Sequence, residues 1–191
     1  MKQLKFSHIT KTAGTTIEDE AKECNILWGR HHKEYGFWHE TLSNKHLTLI
    51  EKYDWFTVVR NPYTRIISEF HCKCSDGSQY AKKIRDKFTK EEFNNYLIGR
   101  IIHYNQIGNH YTPQYYYTDN EIPISVLRFE NLNSEFNMLM KKYKLPVVIN
   151  SHKNKTSKIF NSSDINQKLR DIINKTYEKD FEYFNYDIEL K

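Results

Sequence analysis

The segment that most limits how this chain can fold is Trp55-Phe56-Thr57-Val58-Val59-Arg60, followed at once by Asn61-Pro62. Aromatic and β-branched residues in a continuous apolar run describe a strand buried on both faces. Asn is a favoured helix cap and Pro a favoured first helical residue, so a helix must begin where the strand stops. Tyr63, Ile66, Ile67 and Phe70 then fall at i, i+3, i+4 and i+7, one face of that helix. The same strand-to-helix pattern opens the chain. Residues 4–9 read as a strand, 10–16 as a turn rich in small and hydroxyl side chains, and Thr15 onward to Cys24 as a helix. Residues 122–129 read as a third strand. Leu132, Phe136, Leu139, Met140 and Tyr143 give a helical stripe, and residues 147–149 a short strand after Pro146. Ile165, Leu169, Ile172, Ile173 and Tyr177 mark a last helix, capped by Ser162 or Ser163. The stretch from Cys72 to Gln114 is read as helical without finer assignment. Strands alternating with helices make an α/β protein with a mostly parallel sheet flanked by helices. No repeat or linker interrupts it, so residues 1–191 are expected to form a single domain.

With 38% hydrophobic and 28% charged residues the composition excludes a disordered or fibrous chain. No apolar run approaches the roughly 18 residues of a membrane span, and the opening residues carry no secretory leader. Three cysteines are too few and too irregular for a disulfide framework. These features predict a soluble, cytoplasmic protein without stable membrane insertion. A net charge of +5 suits a protein that handles an anion. His71-Cys72-Lys73-Cys74 lacks the spacing of a zinc site, and no metal is expected. The basic runs Arg30-His31-His32-Lys33 and Lys82-Lys83-Ile84-Arg85 read as solvated faces, with steering of an anionic ligand as the alternative.

In parallel α/β sheets ligands bind beyond the carboxyl ends of the strands, which directs attention to residues 10–16 and 60–68. A strand that ends in a small turn and opens a helix presents unpaired amides and the positive end of the helix dipole. Ala13 and Gly14 allow an anion to come close, Thr12, Thr15 and Thr16 supply hydroxyls, and Lys11 adds a full charge. By spacing alone the same residues also describe a plain capped helix beside a surface lysine. The segment is not the nucleotide-binding P-loop: the first glycine is missing, and the lysine precedes Gly14 instead of following a glycine. At the second junction, Arg60 can grip a phosphate through two parallel hydrogen bonds, and Ser68 lies eight residues on in the following helix. An ordinary surface ion pair for Arg60 is the open alternative.

His8-Ile9-Thr10-Lys11-Thr12-Ala13-Gly14-Thr15-Thr16 resembles the 5′-phosphosulfate loop of sulfotransferases that use 3′-phosphoadenosine 5′-phosphosulfate (PAPS). The carbohydrate group containing the heparan and chondroitin 2-O-sulfotransferases is the nearest likeness, with Thr10 in place of its proline and Ala13 in place of a glycine. Arg60-Asn61-Pro62-Tyr63-Thr64-Arg65-Ile66-Ile67-Ser68-Glu69-Phe70 is similar to the 3′-phosphate motif of the same enzymes. Residues 126–132, 150–156 and 177–186 resemble further segments of that family. The resemblance implies a P-loop-like three-layer sandwich. It also implies that Lys11, Thr12, Ala13, Gly14, Thr15 and Thr16 hold the phosphosulfate, and Arg60 and Ser68 the 3′-phosphate. Lys155 and Thr156 would close over the nucleotide, the product would be 3′-phosphoadenosine 5′-phosphate (PAP), and Arg65 would be structural.

Transfer to a hydroxyl needs a base, and a histidine suits it. Nine are present. His39 lies between the two motifs in a stretch comparable to that bearing the catalytic histidine of the 2-O-sulfotransferases, so the resemblance implies His39 as base. Glu40 is the alternative, and otherwise a substrate contact. Asn109-His110-Tyr111-Thr112-Pro113-Gln114 resembles the family's H-x-x-P-Q segment, which implies that His110 and Gln114 contact the acceptor. The expected activity is transfer of a sulfuryl group from PAPS to a glycan or glycolipid hydroxyl, with Lys11 and His39 catalytic and without nucleic acid. Oligomeric state is left open. A non-catalytic nucleotide or nucleic-acid binder, and a small-molecule kinase on a related fold, are the rival classes.

Overall fold

A computed structural model of the chain describes residues 2–32, 39–42, 47–72, 79–104, 110–118, 123–149 and 159–188. Three strands, β1 (Leu4–Ser7), β2 (Asp54–Val59) and β3 (Ile124–Arg128), form a parallel sheet in the order β1-β2-β3. Leu4 pairs with Asp54 and Ser7 with Thr57 on one side of β2, and Trp55 pairs with Ile124 and Val59 with Arg128 on the other. The fold is therefore α/β, as the alternating pattern predicts.

The chain divides into two compact units: Met1–Arg60 with Gln114–Asn154, and Asn61–Pro113 with Lys155–Lys191. The first holds the sheet. Side chains alternate along a strand, and here both faces are covered. Leu4 and Phe6 of β1, Phe56 and Val58 of β2 and Leu127 of β3 pack with Ile17 and Ala21 of α1 (Gly14–Glu23) and with Phe136 and Met140 of α6 (Leu132–Tyr143). Trp28 joins this layer and anchors its indole N–H on the Leu4 carbonyl at 2.9 Å. On the opposite face Trp55 packs with Leu42, Tyr53 and Ile50, the last from α2 (Leu47–Glu51). Tyr143 donates to the Asp54 carboxylate at 2.9 Å; loss of water contact and that neighbouring carboxylate push its phenol up to about 12.

The second unit is helical. It comprises α3 (Pro62–Phe70), α4 (Gln79–Arg85), α5 (Lys90–Ile102), α7 (Gln167–Thr176) and α8 (Glu178–Tyr183). Their core includes Tyr63, Phe70, Phe93, Leu97, Leu169, Ile173, Tyr177 and Phe181. Asn61 caps α3 as expected, its side chain accepting the amides of Tyr63 and Thr64. Thr89 and Glu92 form a reciprocal capping box on α5, and the bonds from Thr89 hold the Glu92 carboxyl below its ordinary value.

Two local expectations change. Residues 147–149 form no strand; Val147 contributes to the core without pairing its backbone. The cap of α7 is Asn166, which accepts the Leu169 amide at 2.9 Å, while Ser162–Asp164 form a separate 3₁₀ turn. Among the described residues no helix is long and apolar enough to cross a membrane.

Candidate active site

Parallel pairing of β1 with β2 sets their carboxyl ends side by side in the first unit. The turn after β1 reverses direction through two left-handed residues, Lys11 at φ 63° and Ala13 at φ 69°. An L-residue in this conformation costs roughly 1–2 kcal/mol, which explains why a glycine suits the Ala13 position in the pattern this turn resembles. Ala13 is also the residue before α1 and supplies no side-chain cap, and the first turn of α1 carries no acidic residue. The start of α3 is closed by Asn61, whereas α1 begins without a side-chain cap at the positive end of its dipole. Lys11 is half-buried at the rim of the turn.

The threonines divide by role. Thr12 is fully buried, and its hydroxyl donates to the Ile9 carbonyl at 2.8 Å. It braces the turn. Thr16 is buried, Thr15 half-buried.

Arg60 completes the strand-end cluster. Its Nη1 donates to the Lys11 carbonyl at 3.2 Å, and its guanidinium lies 4.1 Å from the centre of the Phe129 ring. Its backbone is held by Gln114, whose Oε1 accepts the Arg60 amide at 2.9 Å while its Nε2 donates to the Arg60 carbonyl at 2.8 Å. The two bonds continue the hydrogen-bonding pattern of a strand edge beyond the end of β2. Gln114 is fully buried. Through these two bonds it positions that arginine.

His39 belongs to the same unit. It is a left-handed residue, φ 66°, whose carbonyl accepts the Tyr117 hydroxyl at 2.8 Å. Its ring meets that of His8 edge to face at 4.6 Å. Glu40 is half-buried beside it in sequence. His8 is buried at the end of β1, with Nδ1 2.8 Å from Oε1 of the buried Glu18. His8 opens the segment that carries the first resemblance, but its pairing with Glu18 is not picked out by sequence reasoning; a histidine and a carboxylate ten residues apart carry no local signal of pairing.

In the second unit, His110 Nδ1 lies 2.9 Å from the buried Glu69 carboxylate, and the His110 carbonyl accepts Arg65 Nη2 at 3.2 Å. Arg65 is fully buried, consistent with a structural part. Ser68 is half-buried on α3. Arg85 is buried and donates to the carbonyls of Phe70 and Cys72, so it is not part of a steering surface. His71 accepts the Ile159 amide on Nε2 at 3.0 Å and faces the Ile67 carbonyl through Nδ1 at 2.8 Å, a packing role. Lys155 and Thr156 lie outside the described residues.

A helix start without a side-chain cap after a left-handed turn, with a lysine on the turn and an arginine tied to it from the next strand, defines a parallel α/β protein with basic residues at adjoining strand ends. Residues 2–187 match the profile of the sulfotransferase family, so one family covers nearly the whole chain and both units, and the chain belongs to it. No curated protein matched at a significant level.

Proposed function

We propose that this protein transfers a sulfuryl group from PAPS to a hydroxyl of a glycan acceptor, with His39 as general base. Sulfuryl transfer is the activity of the family to which the chain belongs, and PAPS is the donor its members generally use. The observation that supports the reading is the bond from Arg60 Nη1 to the Lys11 carbonyl at 3.2 Å, which ties the arginine after β2 to the turn that carries Lys11. A nucleotide with phosphates at both ends of its ribose needs that pairing. PAPS supplies a sulfuryl group activated by a phosphate leaving group. Lys11 and the amides from Thr12 to Thr16 hold the phosphosulfate, and Lys11 balances the charge left on the departing phosphate. Arg60 reads the 3′-phosphate, its orientation fixed by Gln114 and Phe129. As the acceptor oxygen bonds to sulfur and the bond from sulfur to the phosphate oxygen breaks, a ring nitrogen of His39 takes the acceptor proton.

The donor is tested by thermal shift with PAP, ATP and AMP. A clear preference for PAP, lost in Lys11→Ala and in Arg60→Ala, is expected; equal shifts with all three would overturn the reading. For the base, His39→Ala is expected to lower transfer from labelled PAPS about 10²–10⁴-fold while leaving PAP binding in place. An unchanged rate would remove His39 from the role.

A further inference from the structure

We propose that Glu18 and His8 are a positioning pair for His39: the buried carboxylate fixes the His8 ring, and that ring seats the His39 ring beside the end of β1. This rests on the reading of His39 as the base and extends it inward.

Glu18 is fully buried on α1, and His8 is 6% exposed. A carboxylate only accepts, so His8 Nδ1–H donates to Glu18 Oε1 across their 2.8 Å separation. The same oxygen accepts the Arg30 amide at 3.1 Å, and Oε2 faces Arg30 Nε at 3.4 Å. Asp19 draws the outer end of the Arg30 guanidinium. The His8 ring is stacked on Phe6, centroids 5.6 Å apart and planes 26° off parallel. One imidazole is thus held by a carboxylate at its edge and an aromatic ring at its face, and it meets the His39 ring at 4.6 Å and 83°.

The surrounding backbone is shaped to admit the pair. A Cβ on Gly14 would lie 2.1 Å from His8 Cδ2 and Nε2, and a Cβ on Gly29 would lie 1.8 Å from Glu18 Oε1. Two glycines therefore leave room, one for the ring and one for the carboxylate. A buried imidazole–carboxylate pair is a poor source of net stability compared with apolar packing of the same volume. Its presence here, three residues before Lys11 in the chain, fits a positioning task. His39 needs such support, because its left-handed backbone is unfavourable and is held from the other side by Tyr117.

The test uses the full chain saturated with PAP. In ¹⁵N-histidine spectra of the wild type, the proton on His8 Nδ1 and a through-space contact between the His8 and His39 rings are expected. A proton on Nε2 alone, or no contact between the rings, overturns the proposal without any substitution, so a poorly folding variant does not shield it. Glu18→Gln keeps an oxygen for His8 but turns an N–H donor toward Arg30 Nε, and is expected to weaken the ring contact yet keep the PAP-induced thermal shift. In transfer from labelled PAPS to desulfated heparin or chondroitin, it should lower kcat about 10- to 10²-fold in the wild-type background and leave the residual rate of His39→Ala unchanged. An equal loss in both backgrounds would mark Glu18 as structural and overturn the proposal while leaving His39 as base. An unchanged rate in His39→Ala alone would overturn the base reading itself, and the proposal with it.

Discussion

Gln114 offers a direct measure of how the strand-end cluster is built. Replacing it with leucine keeps the side-chain volume roughly constant but removes both bonds to Arg60, at 2.9 Å and 2.8 Å. Each buried amide or carbonyl left without a partner costs about 1–3 kcal/mol. Arg60 is only half-buried, so water relieves part of this, and a total of about 2–4 kcal/mol is expected. For a chain of this size about 1 kcal/mol moves the melting midpoint by roughly 2–4 °C, which puts Gln114→Leu some 5–15 °C below wild type. Gln114→Glu is the sharper variant. Its carboxylate still accepts the Arg60 amide but faces the Arg60 carbonyl with no proton to donate, so at neutral pH it should be no better than leucine. Protonation restores the donor, and Gln114→Glu should regain stability relative to leucine as the pH falls toward the carboxylate range. Melting curves and calorimetric titration with PAP measure both effects, with PAP affinity expected to fall about 10-fold or more as Arg60 loses its orientation. A wild-type midpoint and wild-type PAP affinity in both variants would show that Gln114 does not hold Arg60.

The turn after β1 makes opposite demands at adjacent positions. Ala13→Gly relieves a left-handed alanine, a gain of roughly 1–2 kcal/mol set against about 0.4–1 kcal/mol of extra unfolded-chain freedom, so denaturant melts should show a net stabilisation of about 0.5–1 kcal/mol. Gly14→Ala drives a methyl group into the His8 ring 2.1 Å away and should destabilise by about 1–3 kcal/mol; stabilisation there would contradict the packing described. Asp164 supplies a pH test in the helical unit. Lys90 Nζ at 2.7 Å and the Asn161 amide at 3.0 Å hold its carboxyl below its ordinary value. A depressed carboxyl stabilises the fold above its unfolded pKa, and that contribution is lost as the pH falls through the folded value. Lys90 is largely exposed, which screens the pair. Asp164→Asn should therefore cost only about 0.5–1 kcal/mol at pH 7, with the gap closing as the pH falls below the ordinary carboxylate range; a gap independent of pH would refute the assignment.

What the sequence revealed follows from the range over which each interaction acts. The junction at Arg60-Asn61-Pro62 was legible because cap and proline act within one turn, and the structure ends β2 and starts α3 there. The turn at residues 10–16 was legible for the same reason. Residues 147–149 misled because an apolar run after a proline has a strand's composition, and only the availability of a pairing edge decides the outcome. The hold of Gln114 on Arg60 was not legible because it joins residues 54 positions apart in the chain. The pairing of His8 with Glu18 was silent because a buried imidazole–carboxylate pair is made by the meeting of β1 with α1. The difference has a chemical basis. An anion cradle is built largely from backbone amides, and the turn that exposes them must be written in local residue types. The groups that orient a base or an arginine act from inside the fold, where any element that arrives at the right depth can supply them. Substitutions at Gln114, His8 and Glu18 should consequently weaken orientation before they weaken charge, and a loss of PAP affinity in Glu18→Gln as deep as that in Lys11→Ala would break this division.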